Sequence, residues 1–288
     1  MQTRTLGPGF AAEVSGVDVS RPLSETDAEA LRALLDDHEL LVLRAPDLDI
    51  AAHLRFVGIF GPIYDEYRNN SGHSQVSNVV GNFPTGRLLF HQDFAFTPYP
   101  HRVQSLYAED LQGDVAPTLF VSNSRAFERL SATQRTGWAG LSAVHARDAS
   151  RSGRPDDEFA RVRLRDLPDS DNTALYPRAA HPVLNSHPRT GVPLLFVNEY
   201  YTSHIPELAE EEGEQVIQDA FAVIYAPEGI YAHQWRPGDL VLWDNIALQH
   251  ARSAVTPKSR RTLRRVLVND HIDEPGFREN AGLTYAKA

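Results

Sequence analysis

The stretch Gly238-Asp239-Leu240-Val241-Leu242-Trp243-Asp244-Asn245-Ile246-Ala247-Leu248-Gln249-His250 decides how the chain is read. It opens on a Gly-Asp turn, enters a short unbroken apolar run and ends on a histidine. Four to eight apolar residues bounded by turn residues read as a buried strand. Segments of this kind recur on both sides of it. Strands are predicted over 88–93, 103–109, 118–122, 141–146, 180–184, 193–197, 230–235, 239–243, 250–255 and 263–269. Residues 3–20 read as short strands with a turn at Ser15-Gly16, and Leu40-Leu41-Val42-Leu43 as another buried strand. Helices are fewer. Ser24, with Asp27 three positions on, forms an N-cap signature before Ala28, Leu31, Leu34 and Leu35 at helical spacing. Asp49 caps a second helix from Ile50 to Phe60, stopped by Gly61-Pro62. Further helical stretches lie near 124–139 and 207–222. The expected fold is mainly β, a sandwich or barrel with helical decoration.

The chain has 288 residues, of which 42% are hydrophobic, so it can bury a substantial core. Its 38 acidic and 28 basic side chains give a net charge of −10, against the basic clustering of a nucleic-acid binder. No apolar run reaches the roughly 18 residues of a membrane span. The first residues, from Met1-Gln2-Thr3-Arg4-Thr5-Leu6 to Val14, lack the apolar core of a signal peptide. With no cysteine, disulfides, thiolate metal sites and a cysteine nucleophile are excluded, and a cytoplasmic home is expected. Residues 147–178 are charged, proline-containing and aperiodic, which predicts either a substrate-covering lid or a surface insertion.

A metal must then be held by nitrogen and oxygen. In His91-Gln92-Asp93 the two potential ligands stand at i and i+2, on one face of a strand. Two histidines and one carboxylate suit mononuclear iron(II), with other positions left open. The motif alone is weak: chance supplies about one His-x-Asp in a chain of this composition. A second, His271-Ile272-Asp273, precedes a proline with no histidine after it and reads as surface. His250 is the best third ligand, because it follows a core strand that would hold it precisely. Beyond it lie Arg260, Arg261, Arg264 and Arg265. In a strand, Arg261, Leu263 and Arg265 share one face, and Arg260, Thr262 and Arg264 the other. Two arginines turned inward require anions to meet them. An exposed basic edge strand is the alternative of equal weight.

At these residues the sequence resembles the taurine dioxygenase and TfdA-like family of iron(II)/2-oxoglutarate-dependent dioxygenases. The resemblance runs from Leu6-Gly7-Pro8, Gly16-Val17-Asp18 and Arg21-Pro22-Leu23 through Phe60-Gly61-Pro62, His91-Gln92-Asp93 and His181-Pro182-Val183. It continues through Leu195-Phe196-Val197-Asn198-Glu199, Trp235-Arg236-Pro237-Gly238-Asp239 and Trp243-Asp244-Asn245 to His250, Arg261 and Arg265. It implies one domain over 1–288 with a double-stranded β-helix, or jelly roll. It implies Fe(II) on His91, Asp93 and His250, with O2 as oxidant. It implies 2-oxoglutarate bound by Arg261 and Thr118, and a substrate anion received by Arg265. The reaction implied is hydroxylation of an aliphatic C–H with release of succinate and CO2. A metal carboxylate at Asp93 argues against halogenation, and the resemblance suggests a homo-oligomer, a dimer or tetramer.

The pattern departs from the family at Phe90, where Trp is usual, and at Arg87, where the taurine enzyme has a substrate-contacting Asn. Residues 64–73 also differ from the corresponding pocket segment. These departures point away from taurine and towards another small anionic substrate: a carboxylate, amino acid, sulfonate or phosphonate. Tyr64, Tyr67, Arg87, Asn198 and Tyr201 are the pocket candidates, each with packing or surface exposure as the alternative; His73 reads as a loop histidine. Two rival functions are an iron oxygenase that needs no 2-oxoglutarate and a non-catalytic small-acid binder.

Overall fold

The computed structural model describes residues 1–66, 69–80, 86–147, 177–256 and 258–274. Its elements run β1 (Gln2–Leu6), β2 (Ala11–Ser15), α1 (Glu25–His38), β3 (Leu40–Arg44), α2 (Ile50–Gly58), β4 (Ser74–Ser77), β5 (Leu88–His91), β6 (Val103–Gln112) and β7 (Thr118–Ser122). There follow α3 (Asn123–Arg129), α4 (Ala132–Gly137), β8 (Ser142–Ala146), β9 (Arg178–Pro182), β10 (Leu184–Ser186), β11 (Pro193–Leu195), β12 (Thr202–His204) and α5 (Glu210–Ile224). The last strands are β13 (Tyr231–His233), β14 (Asp239–Asp244), β15 (Leu248–Arg252) and β16 (Arg260–Val268). The chain divides into two compact units: Met1–Leu88, His101–Val121 and Ile230–Asp270 in one; Leu89–Pro100, Ser122–Gly229 and His271–Ala288 in the other.

In the first unit β1-β2-β3-β14-β6-β16-β4 form a seven-stranded sheet, antiparallel except for β2 beside β3. A four-stranded sheet has the order β13-β7-β15-β5. One core cluster joins residues of both sheets: Val42, Leu106, Ala108, Val241, Trp243 and Leu263 from the larger, Phe120 and Leu248 from the smaller. Two facing sheets with a shared apolar interior make the jelly roll.

The opposite face of the large sheet is covered by α1 and α2. Leu41, Leu43, Leu240, Leu242, Val266 and Val268 pack there with Leu31, Leu35, Phe56 and Val57. Strands covered on both faces lose the alternation of polar and apolar residues. That is why Leu40–Leu43 and Leu240–Trp243 are unbroken apolar runs, all buried. Both helix starts follow the sequence signals: Ser24 accepts from the Asp27 N–H at 3.1 Å and Asp49 from the Ala52 N–H at 2.7 Å.

Strand β16 is not an edge. It lies between β6 and β4, and of its four arginines only Arg260 is fully exposed. Arg264 lies opposite Tyr107 on the helix-covered face, 4.8 Å over its ring. It donates to the Leu48 carbonyl (2.5 Å) and to His53 Nδ1 (3.1 Å), and pairs with Glu109 at 3.1 Å. Leu263 and Arg265 lie opposite Ala108 and Leu106, on the face shared with the second sheet.

In the second unit β12-β8-β9 form a three-stranded sheet, β10 and β11 a hairpin, with α3, α4 and α5 around them. Helix α5 lacks a side-chain cap but carries Glu210, Glu211 and Glu212 in its first turn, where the helix dipole favours them. Of the aperiodic segment 147–178, residues 148–176 lie outside the described residues; Arg178 already belongs to β9. Among the described residues no helix is long and apolar enough to cross a membrane.

Candidate metal centre

His91 is the last residue of β5, and the strand stops two residues short of the sequence expectation. Asp93 therefore reaches its position from a turn, not from the pleat of a strand. The next residue, Phe94, has φ 65°, a left-handed conformation that costs energy for a bulky side chain. His91 is buried, and its Nδ1 lies 2.8 Å from the carbonyl of Leu89. A carbonyl only accepts, so Nδ1 carries the hydrogen and Nε2 presents its lone pair. That Nε2 stands 3.1 Å from Asp93 Oδ1. Two electron-rich atoms at this distance require a proton or a cation between them.

His250 is carried by β15 and held with its ring 5.1 Å from that of Trp243. One ligand atom each from His91, Asp93 and His250 all lie within 4.8 Å of one another. The donor set, two imidazoles and one carboxylate, fits an iron(II) ion of the kind that keeps positions open for small ligands. The second His-x-Asp pair stands apart from this group: His271 stacks on Tyr99 and faces Glu274, and Asp273 is exposed.

Gln92, between the first two ligands, is completely buried. Its Oε1 accepts from Asn198 Nδ2 at 3.1 Å. Asn198 Oδ1 accepts from the N–H of Tyr201 at 2.6 Å, and the Asn198 N–H donates to Thr202 Oγ1 at 2.8 Å. Tyr200 N–H donates to the Phe90 carbonyl. The loop 198–202 is thus buttoned onto the end of β5, and it sets the rings of Tyr200 and Tyr201 5.5 and 5.8 Å from that of His91. Asn198, expected as a substrate contact, is fully buried with its amide spent on Gln92 and Tyr201. It acts as a clamp. Outer partners of metal ligands typically affect affinity 10–100-fold. Asn198→Leu is expected to weaken Mn(II) binding by roughly that factor, as measured by EPR titration; unchanged affinity would show that the clamp does not reach the metal.

A second cluster lies on β7 and β16. Arg261 donates through Nη2 to Thr118 Oγ1 at 2.9 Å, and Trp235 Nε1 donates to the same oxygen at 3.0 Å. With both lone pairs used, the Thr118 hydroxyl has only its hydrogen to offer, which suits an anion. Arg261 is 4% exposed, and its Nε has no hydrogen-bond partner among the described residues. Burial, and then the neighbouring Arg252 guanidinium, push its pKa down to about 9. A buried guanidinium facing another cation, with no carboxylate beside it, is a receptor for an anion that the chain does not supply. Arg252 follows His250 by two residues on β15, and no motif in the sequence marks it. Its i, i+2 spacing from His250 is the one signal that could have found it.

The profile of the family described as "Taurine catabolism dioxygenase TauD, TfdA family" matches residues 2–267. The chain belongs to this family. As a TauD/TfdA-family member it is an iron(II)- and 2-oxoglutarate-dependent dioxygenase. It is 31% identical to a pentalenolactone F synthase of Streptomyces avermitilis, over 97% of each chain. It is 26% identical to an alpha-ketoglutarate-dependent 2,4-dichlorophenoxyacetate dioxygenase of Cupriavidus pinatubonensis, over 92% of this chain and 96% of that one. In fold it is similar to AAD-2, solved in complex with Mn(II) and N-oxalylglycine, with a TM-score of 0.79 at 23% identity over 93% of this chain and 97% of that one. The jelly roll expected from the sequence is thus the fold of its structural neighbours.

The remaining pocket candidates divide. Tyr201 stands beside His91. Tyr64 is 3% exposed and packs its ring 4.8 Å from that of His101, inside the fold. Arg87 is exposed just before β5, and Tyr67 lies outside the described residues. His73 is a loop histidine, its Nδ1 3.0 Å from the carbonyl of Ser71.

Proposed function

We propose that His91, Asp93 and His250 hold the Fe(II), that Arg261 and Thr118 hold the distal carboxylate of 2-oxoglutarate, and that the protein hydroxylates an aliphatic C–H of a small substrate bearing an anionic group. The single observation carrying this reading is the buried Arg261, left without a carboxylate partner among the described residues while Thr118 is oriented beside it. Fe(II) with 2-oxoglutarate and O2 supplies the oxidation, converting 2-oxoglutarate to succinate and CO2. The chain's own side chains do the rest. Asp93 and the two histidines fix the ion, and the Leu89 carbonyl fixes the His91 tautomer. Arg261 and Thr118 orient the cosubstrate, a positional contribution that lowers the barrier entropically. Tyr200, Tyr201, Phe94 and Phe96 supply apolar surface around His91 that excludes water. Arg265 is the anchor for the substrate's anionic group, in keeping with relatives named for 2,4-dichlorophenoxyacetate and phenoxypropionate.

Anaerobic titration of the Fe(II)-loaded protein with 2-oxoglutarate tests the reading. A visible charge-transfer band that saturates is expected. Fe(II) binding with no band at any 2-oxoglutarate concentration would favour an oxygenase that does not use this cosubstrate.

A further inference from the structure

Arg265 differs from Arg261 in one respect that bears on the substrate. It is already in an ion pair. Its Nη2 donates to the carboxylate of Glu66, and its Nε donates to Ser74 Oγ at 3.1 Å. The side chains of Arg265 and Glu66 are only 14% and 13% exposed. The pair lies on the side of β16 that faces the second sheet, opposite Leu106. Resting on the reading of Arg265 as the substrate's anchor, we propose that Glu66 and Arg265 together recognise a zwitterion. The substrate class is a molecule carrying an ammonium group next to a carboxylate, as an amino acid does, and Glu66 is the specificity-determining residue.

Counting ion pairs separates the possible ligands. Before a ligand arrives Glu66 is matched with Arg265. A ligand with a carboxylate alone forms one pair with Arg265 and strands Glu66 as a desolvated, uncompensated charge. An amine alone pairs with Glu66 and strands Arg265. If an anion binds without displacing Glu66, two negative charges share one guanidinium in a poorly hydrated site. Only a ligand bearing both charges keeps every group matched, its carboxylate on Arg265 and its ammonium on Glu66. The cosubstrate cluster shows the opposite design. Arg261 has no acidic neighbour among the described residues to satisfy it and so accepts a simple carboxylate.

The test uses two sets of matched skeletons: leucine, 4-methylpentanoate and 3-methylbutylamine, and phenylalanine, 3-phenylpropanoate and 2-phenylethylamine. Each is titrated anaerobically into the protein loaded with Fe(II) and 2-oxoglutarate, and affinity is read from the shift of the charge-transfer band. The expected result is that in at least one set the amino acid binds roughly tenfold tighter, or more, than both singly charged analogues. Glu66→Gln should reverse the order, weakening the amino acid and tightening the carboxylate by similar factors. The comparison within the unmodified protein decides between the outcomes even if the variant folds poorly. A band present but shifted equally by carboxylate and amino acid, or by no amino acid, overturns the zwitterion site and leaves the cosubstrate reading standing. Absence of the band overturns the cosubstrate reading and this proposal with it.

Discussion

Replacing Arg261 with methionine is expected to make the ligand-free protein more stable while removing its response to 2-oxoglutarate. The guanidinium is 4% exposed, pairs with no carboxylate among the described residues and faces Arg252. Its desolvation is therefore uncompensated until an anion binds. Exchanging buried charges for apolar side chains of similar volume commonly stabilises by about 1–4 kcal/mol, and methionine follows much of the path of the arginine stem. The melting temperature of the ligand-free variant should rise by several degrees. Ligand binding moves the other way. Truncating one partner of a buried charge-assisted contact costs about 2–5 kcal/mol, so 2-oxoglutarate should bind roughly 30-fold weaker or worse. Unmodified protein gains stability with added 2-oxoglutarate by mass action; the variant should not. A variant that melts lower without ligand and keeps its 2-oxoglutarate shift would show that Arg261 is a structural cation.

The second large effect belongs to Asp93→Ala. Asp93 is the only acid in the three-residue group, and it supplies the negative charge that balances a divalent ion. Loss of a direct ligand should exceed the 10–100-fold typical of outer partners, so Mn(II) and Fe(II) affinity is expected to fall by at least roughly 100-fold. Succinate release should vanish with it. The metal-free protein should melt near its usual temperature, because Asp93 sits in a turn, outside the core clusters, and the ion pair lost with His91 is one that the metal would replace. Differential scanning fluorimetry with and without Mn(II) separates the two effects. Full retention of the Mn(II)-induced shift in Asp93→Ala would place the ion elsewhere.

What the sequence discloses depends on where side chains meet strong constraints. Leu40–Leu43 and Leu240–Trp243 are buried on both faces, so composition alone marks them as strands. Ser24 and Asp49 start helices by hydrogen bonds formed within three residues, which makes them locally readable. The short strands β4, β10 and β12 carry no such signal. They have three or four residues each, too few for a period to register. The helical stretch expected over 124–139 is two helices, α3 and α4, because Ser131 with Gln134 forms a capping box that restarts the chain.

At the site, the periodicity of β16 separates Arg261 and Arg265 from Arg264, and the structure keeps that separation. The pairing of Arg265 with Glu66 spans 199 residues of chain and leaves no trace in local pattern. Asn198 reads as a pocket residue in the sequence because a polar side chain amid apolar neighbours suggests a ligand. Its partner is Gln92, 106 residues away, and no local pattern links the two.

The position of β3 has a consequence for how the protein is made. Its hydrogen-bonded neighbour on the side away from β2 is β14, so roughly 200 residues must emerge, over about 10–40 s of synthesis, before Leu40–Leu43 finds that partner. Until then a strand apolar on both faces has one edge open on the ribosome. Such long-range pairing slows folding and invites aggregation, so yield of native protein should respond to temperature and chaperone supply during expression.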